Sequence, residues 1–186
     1  DLYSKLKLAI EPSKIWPTTD FVHAKMNEQN QRHQKFNDTA YNLEPNIKEG
    51  PGGLRDIQMI AWIAKRHFDA ETLKDLVNFR FLTPEEYLQL EKGQSFLWKI
   101  RYALHRLRNR PEERLLFDHQ RELAEKFGYE DNEEQLSVEQ FMADYYQNIM
   151  ELDRLNEILL QYFQEMILYN DDETRPRKIN NRFIVY

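Results

Sequence analysis

The side chains Phe141, Tyr145, Ile149, Leu152, Leu155, Leu159, Phe163 and Met166 recur at steps of three and four residues. Only an α-helix turns that spacing into one continuous apolar face. At 1.5 Å per residue, a helix from Ser137 to residue 168 is roughly 48 Å long. A rod of that length buries its stripe only if other helices lie alongside it, so the rest of the chain must supply them. Ser137-Val138-Glu139-Gln140 has capping-box spacing and marks the start. A second box, Thr83-Pro84-Glu85-Glu86, adds a proline suited to the first helical position. It predicts a helix to about Arg108, with Leu90, Leu97, Ile100, Leu104 and Leu107 as its buried stripe. Gly93 inside it costs about 1 kcal/mol relative to alanine; close packing against another helix would explain it.

Shorter helices complete the set. Residues 2–10 read as one, ended by Glu11-Pro12. A polar helix from about 20 to 36 carries only Phe21, Val22, Ala24, Met26 and Phe36 as apolar residues, so it is either solvated or turned toward a polar cleft. Others are expected over 55–68, from Glu71 to Phe79, and from Asp118 to a stop at Gly128. The acidic stretch 130–136 is expected to be a mobile loop, and the polar tail from Asn170 ends in the strand-like Phe183-Ile184-Val185-Tyr186. The expected fold is mainly all-α: an antiparallel helical bundle with one long irregular glycine-rich loop over 37–54, and a short extended piece near Asn46–Lys48.

Composition narrows the chemistry. The 186 residues suit one domain, or one with a small appendage. The absence of cysteine excludes a disulfide scaffold, a zinc-thiolate site and a cysteine nucleophile, and fits a reducing, cytoplasmic compartment. With 26 bases against 32 acids, the chain is no general polyanion binder, and no nucleic-acid partner is expected. No apolar run approaches the roughly 20 residues of a membrane span and no signal-like start is visible, so no membrane partner is expected either.

Of five glycines, three (Gly50, Gly52, Gly53) fall within four residues, in the string Lys48-Glu49-Gly50-Pro51-Gly52-Gly53-Leu54-Arg55-Asp56. Glycines before a helix allow backbone N–H groups to approach a phosphate, helped by the positive end of the helix dipole. Arg55 would then contact a phosphate oxygen, and Asp56 would bind a metal ion or orient a base. The plainer reading is a turn whose Asp56 caps the helix. No Gly-Lys-Ser/Thr makes this a Walker loop, and neither spacing nor flanking strands make it a dinucleotide fingerprint. A second candidate is 99–114, where Lys99, Arg101, Arg106, Arg108, Arg110 and Arg114 face only Glu112 and Glu113. That excess would neutralise a triphosphate or an acidic protein surface; more commonly such arginines pair with nearby acids on a solvated face. The histidines show no metal-ligand spacing.

Tyr41-Asn42-Leu43-Glu44-Pro45-Asn46-Ile47-Lys48 followed by Gly50-Pro51-Gly52-Gly53-Leu54-Arg55-Asp56-Ile57 resembles one family closely. Phe96-Leu97-Trp98, Ile100-Arg101, Ala103-Leu104-His105, Arg114-Leu115-Leu116-Phe117-Asp118, Gln120 and Leu123-Ala124 continue its pattern in order. The chain resembles part of the bacterial PII uridylyltransferase/uridylyl-removing enzymes over residues 15–168. The related glutamine synthetase adenylyltransferases share the Gly-Gly-x-Arg-Asp/Glu-Ile core, but usually carry an acid where Gln58 stands here.

The resemblance implies a parent that transfers UMP from UTP to a tyrosine of the signal protein PII, with Mg²⁺, and removes it when glutamine, sensed by further domains, is abundant. It also implies a division into the end of a nucleotidyltransferase region (1–56), a helical bundle (57–169) and a linker (170–186). The family's Gly-Ser, Asp-x-Asp and His-Asp motifs are missing from these residues, so the chain reads as an inactive piece that supports the nucleotide cleft. Gly52, Gly53, Arg55, Lys48, Arg101 and His105 are the candidate nucleotide-binding residues and Asp56 the candidate metal ligand. The competing reading is a non-enzymatic helical interaction module that docks through 99–114.

Overall fold

The computed structural model describes residues 1–9, 15–36, 39–168, 177–178 and 184–185. Within them the chain folds into helices α1 (Leu2–Ala9), α2 (Thr18–Gln34), α3 (Leu54–Phe68), α4 (Asp75–Asn78), α5 (Pro84–Arg108), α6 (Phe117–Lys126) and α7 (Ser137–Leu168). The fold is mainly all-α. Two residue pairs of the tail, β1 (Arg177–Lys178) and β2 (Ile184–Val185), form a short antiparallel ladder. Phe183 and Tyr186, with Ile10 and the expected helix stop at Glu11-Pro12, lie outside the described residues.

Helix α7 is the common partner: α2, α3, α5 and α6 all pack against it. Its stripe Phe141, Tyr145, Ile149, Leu152, Leu155, Leu159 and Phe163 is buried. From the other side come Ile57, Ile60 and Ile63 of α3, Leu90, Leu97, Ile100 and Leu104 of α5, and Leu123 of α6. Met166, the last residue of the expected stripe, is exposed. A β-carbon on Gly93 would lie 2.9 Å from Leu152 Cγ, so α5 approaches α7 as closely as a residue without a side chain allows.

The box at Thr83 forms as the sequence implies: Thr83 Oγ1 accepts from Glu86 N–H, and Glu86 Oε2 accepts from Thr83 N–H. The box expected at Ser137 gives way to a one-sided contact a residue earlier, since leucine has no side-chain acceptor. Leu136 precedes the first helical turn, and its N–H is taken by Glu139 Oε2, while Ser137 N–H goes to Asp131. Gln140 turns away and donates to the carbonyl of Glu130. The helix expected from Glu71 contracts to the single turn α4, because the Asp75 carboxylate captures the amides of Glu71 and Thr72 in a turn. The acidic stretch before α7 also closes locally, with Asn132 Oδ1 accepting from the amides of Glu134 and Gln135.

The segment before α3 is tied to the chain that leads into α6. Ile47 N–H donates to the Glu113 carbonyl and Leu115 N–H to the Pro45 carbonyl, making one antiparallel bridge at Asn46 and Arg114. Gln120 Nε2 donates to the carbonyls of Leu43 and Leu115, and Glu44 meets both Arg114 and the Phe117 amide. The strings Tyr41–Lys48 and Arg114–Ala124, far apart in sequence, are thus one joint in space.

Candidate functional site at the glycine loop

The glycines serve close packing within the chain. Gly52 has φ +70°, and a β-carbon there would fall 2.5 Å from the Ile149 carbonyl oxygen of α7. At Gly53 it would crowd the carbonyl oxygens of Gly50, Lys48 and Ile47 at 2.7 to 3.1 Å. The loop's donors are also spent internally. Lys48 and Glu49 N–H donate to Asn46 Oδ1, and Gly50 N–H to the Asn46 carbonyl. Gly53, Leu54, Arg55 and Asp56 N–H donate to the carbonyls of Gly50, Ile47, Lys48 and Gly53. Gly52 N–H goes to Asp56 Oδ2 at 2.9 Å. A phosphate cradle of backbone amides, for which Gly52 and Gly53 were expected to make room, does not form here. The first turn of α3 has its orphan donors satisfied by the loop that precedes it.

Asp56 is the hub. Its carboxylate is buried at the start of α3 and accepts from Gln29 Nε2 (2.9 Å) and Arg32 Nη2 (2.7 Å), both of α2. His33 Nε2 lies 3.0 and 3.2 Å from its two oxygens. Burial alone would raise the carboxyl's pKa; the His33 hydrogen bond and the Arg32 charge outweigh it and hold the group below the usual carboxylate range. Asp153 of α7 faces the same node. Burial pushes its pKa up to about 6, with repulsion from Asp56 and Glu157 adding to it and His33 and the Gly52 amide opposing. The polar helix α2 therefore faces a polar interior, with Gln29 and Arg32 buried.

Around this hub the outer loop is cationic. Glu49 gathers Arg55 Nη2 at 3.2 Å, Lys48 Nζ at 3.8 Å and Arg32 Nε at 3.8 Å. Arg55 also lies over the Trp62 ring at 5.7 Å, with Lys25 on the same ring at 5.0 Å. Lys48 and Arg55 are half-buried and reach solvent beside Glu49. Arg101 and His105 belong to a different place. Arg101 makes a two-pronged contact with Glu113 at 2.6 and 2.9 Å, His105 Nε2 lies 3.6 Å from the same carboxylate, and Arg101 covers Trp98. Arg110 pairs with Glu112 and Arg114 with Glu44. Much of the basic run is thus locally neutralised, and Arg101 and His105 meet the chain before the glycine loop only indirectly, through Glu113, whose carbonyl accepts from Ile47 N–H.

The donor set does not suit a metal ion. Both Asp56 oxygens already serve Gln29, Arg32, His33 and Gly52, so the role of metal ligand expected for Asp56 is replaced by that of an anchor joining α2 to the loop. Among the described residues, no group of three or more His, Asp or Glu side chains is placed to hold a metal. Gln29, Arg32, His33, Glu49 and Asp153 were not singled out from sequence. The polarity of residues 20–36 was the signal for the first three; a lone aspartate in the stripe of α7 gave none. A groove of about 330 Å³ between α5 and α7, lined by residues including Lys92, Lys99, Asp144 and Glu151, shares no residue with the loop. Among the described residues no helix is long and apolar enough to cross a membrane.

Fold and site together define a mainly helical module in which a buried ionic node pins a glycine loop. The chain belongs to the GlnD PII-uridylyltransferase family, whose model matches residues 20–160. It is 50% identical over 182 residues to the bifunctional uridylyltransferase/uridylyl-removing enzyme of Methylococcus capsulatus, covering 98% of this chain and 21% of that protein. The enzyme of the same description from Nitrosococcus oceani is 52% identical, with 98% and 20% covered. That from Pseudomonas aeruginosa is 50% identical over 169 residues, with 91% and 19% covered. The chain therefore spans about a fifth of the length of these relatives. No solved structure matches it.

Proposed function

We propose that this chain is the helical wall beside the nucleotidyl-transfer centre of a longer bifunctional enzyme, which moves UMP from UTP to a tyrosine of PII and hydrolyses it off again. Residues 1–56 adjoin the transfer centre, 57–169 form the supporting bundle, and 170–186 lead toward another part of the protein. Mg²⁺ and the catalytic carboxylates belong to other parts of that enzyme, as does the response to glutamine. A cytoplasmic setting fits the absence of cysteine. The observation that carries this reading is the fixed loop: Asp56 is pinned from α2 and the loop itself, while Lys48 and Arg55 reach solvent beside it. Pre-positioned cations of this kind suit a polyphosphate, and an arginine–phosphate contact contributes about 1.5–3 kcal/mol. Arg55→Ala in the longer enzyme should therefore raise KM for UTP by about tenfold or more. Unchanged KM and turnover would make the loop structural only.

One observation favours a docking role as a second reading. Trp98 and Tyr102 on α5 are 43% and 70% exposed, with Arg101 stacked on the former, and such residues commonly anchor protein interfaces. Loss of PII binding in a Trp98→Ala, Tyr102→Ala double variant, with UTP use intact, would support it.

A further inference from the structure

Three cations converge on one carboxylate at the rim of the glycine loop, and only one of them reaches hydrogen-bond distance. Arg55 Nη2 is 3.2 Å from Glu49 Oε1, while Lys48 Nζ and Arg32 Nε each stand 3.8 Å from a Glu49 oxygen. Arg32 Nε is buried and makes no hydrogen bond, although Asp56 and the Glu49 carbonyl fix the rest of its guanidinium. A buried arginine donor that makes no hydrogen bond, 3.8 Å from a Glu49 oxygen, is a group that a larger acceptor replacing that carboxylate would satisfy. A carboxylate offers two oxygens in one plane; a phosphate offers three or four in a tetrahedral spread and pairs with arginine through parallel N–H donors. Of the other charges near this rim, Glu28 is paired with Lys25 at 2.6 Å, and Asp56 is held by Arg32 and His33. Trp62 adds an aromatic face flanked by Lys25 and Arg55.

We propose that Arg32, Lys48 and Arg55 form a side-chain phosphate site that Glu49 fills as an internal stand-in, and that a phosphate-bearing ligand enters by displacing Glu49. The site uses no backbone amide, since those of the loop are already engaged. Glu49 is on the loop and one-third exposed, so its side chain can swing to solvent without disturbing the core. In taking the phosphates of a nucleotide the site rests on the function proposed above; its own test does not.

The probe is inorganic tripolyphosphate, titrated calorimetrically into the full chain at low ionic strength, where such contacts are least screened. Glu49→Gln should bind it at least about fivefold more tightly than the parent, because the competing carboxylate is gone. Adding Lys48→Ala or Arg55→Ala to Glu49→Gln should abolish that gain. Glu112→Gln, which removes an acid elsewhere, should leave affinity unchanged. The proposal is overturned if Glu49→Gln binds no more tightly, if the gain survives loss of either cation, or if Glu112→Gln gains as much. Glu49→Ala, checked for folding by circular dichroism, serves as a second variant with the same expectation. If Glu49→Gln gains as stated but UTP does not compete with tripolyphosphate, the phosphate site stands and the nucleotide reading falls.

Discussion

Gly52 meets two demands at once: a left-handed backbone, and a carbonyl oxygen of α7 where a β-carbon would sit. Either is expensive for any other residue. Gly52→Ala should lower stability by at least about 2 kcal/mol, read as a shifted urea midpoint. An unchanged midpoint would mean that the loop can lift off α7 without cost. Asp153 carries a different signature. Its carboxyl titrates near 6 in the fold against an ordinary value of 3.8, so the folded state favours the protonated form. Its contribution to stability is fully present below about pH 4 and is lost as pH rises through 6. The group is partly exposed, so about 1 kcal/mol is at stake. Asp153→Asn should therefore be the more stable protein by about that amount at pH 7 to 8, and equal to the parent near pH 4. Asp56 has the opposite sign: its pKa is depressed, so its contribution is present at neutral pH and is lost only in strong acid, as pH falls through the lowered value.

Among the elements, the pairing of α5 with α7 is the one most sensitive to a single methyl group. Helix propensity alone would make Gly93→Ala stabilising by about 1 kcal/mol. The Leu152 side chain, whose Cγ and Cδ2 would both stand 2.9 Å from the new β-carbon and Cδ1 3.0 Å, so that its whole branched end must shift, reverses the sign. The variant should lose about 1–2 kcal/mol in denaturant unfolding, and Leu152→Ala should absorb part of the loss, giving a positive coupling in a double-mutant cycle. Additive losses would show that α5 simply moves away. At this scale the sequence was readable wherever a helix is amphipathic or capped by neighbours in the chain. Periodicity located α3, α5 and α7, and the Thr83 box formed as its spacing implied. It failed where a carboxylate from a nearby residue competed for the same amide. Asp75 shortened α4, and at the start of α7 Glu139 rather than Gln140 reaches back, because side-chain acceptors one turn away have nearly equal claims on a terminal N–H.

Across the molecule, Asp56 holds α2 to the rest. Gln29, Arg32 and His33 approach it from one helix, Gly52 from the loop, and Asp153 faces it from α7. Removing the charge while keeping the shape, by Asp56→Asn, leaves Arg32 buried without its closest counter-charge and should cost about 3 kcal/mol. The loss should be spatially uneven: hydrogen exchange of the α2 amides should accelerate, while α5, α6 and α7, which meet over an apolar interface, stay protected. Uniform acceleration would mean that the node is part of the global folding unit.

Local spacing sufficed to determine that this chain is a helical bundle around one long helix with an interrupting glycine loop, because periodicity and caps are short-range properties that one sequence displays in full. It also marked the polarity of residues 20–36, though not the groups they would meet. What only the tertiary structure decided is the meaning of the glycines and of Asp56. Whether a glycine before a helix clears space for a ligand or for a neighbouring carbonyl depends on what stands opposite, and here that is Ile149, nearly a hundred residues away in sequence. Whether an aspartate holds a metal or an arginine depends on which charge the fold delivers to it; α2 delivers Arg32 and His33. Non-local electrostatics and close packing have no period along the chain, and only folding brings their partners together.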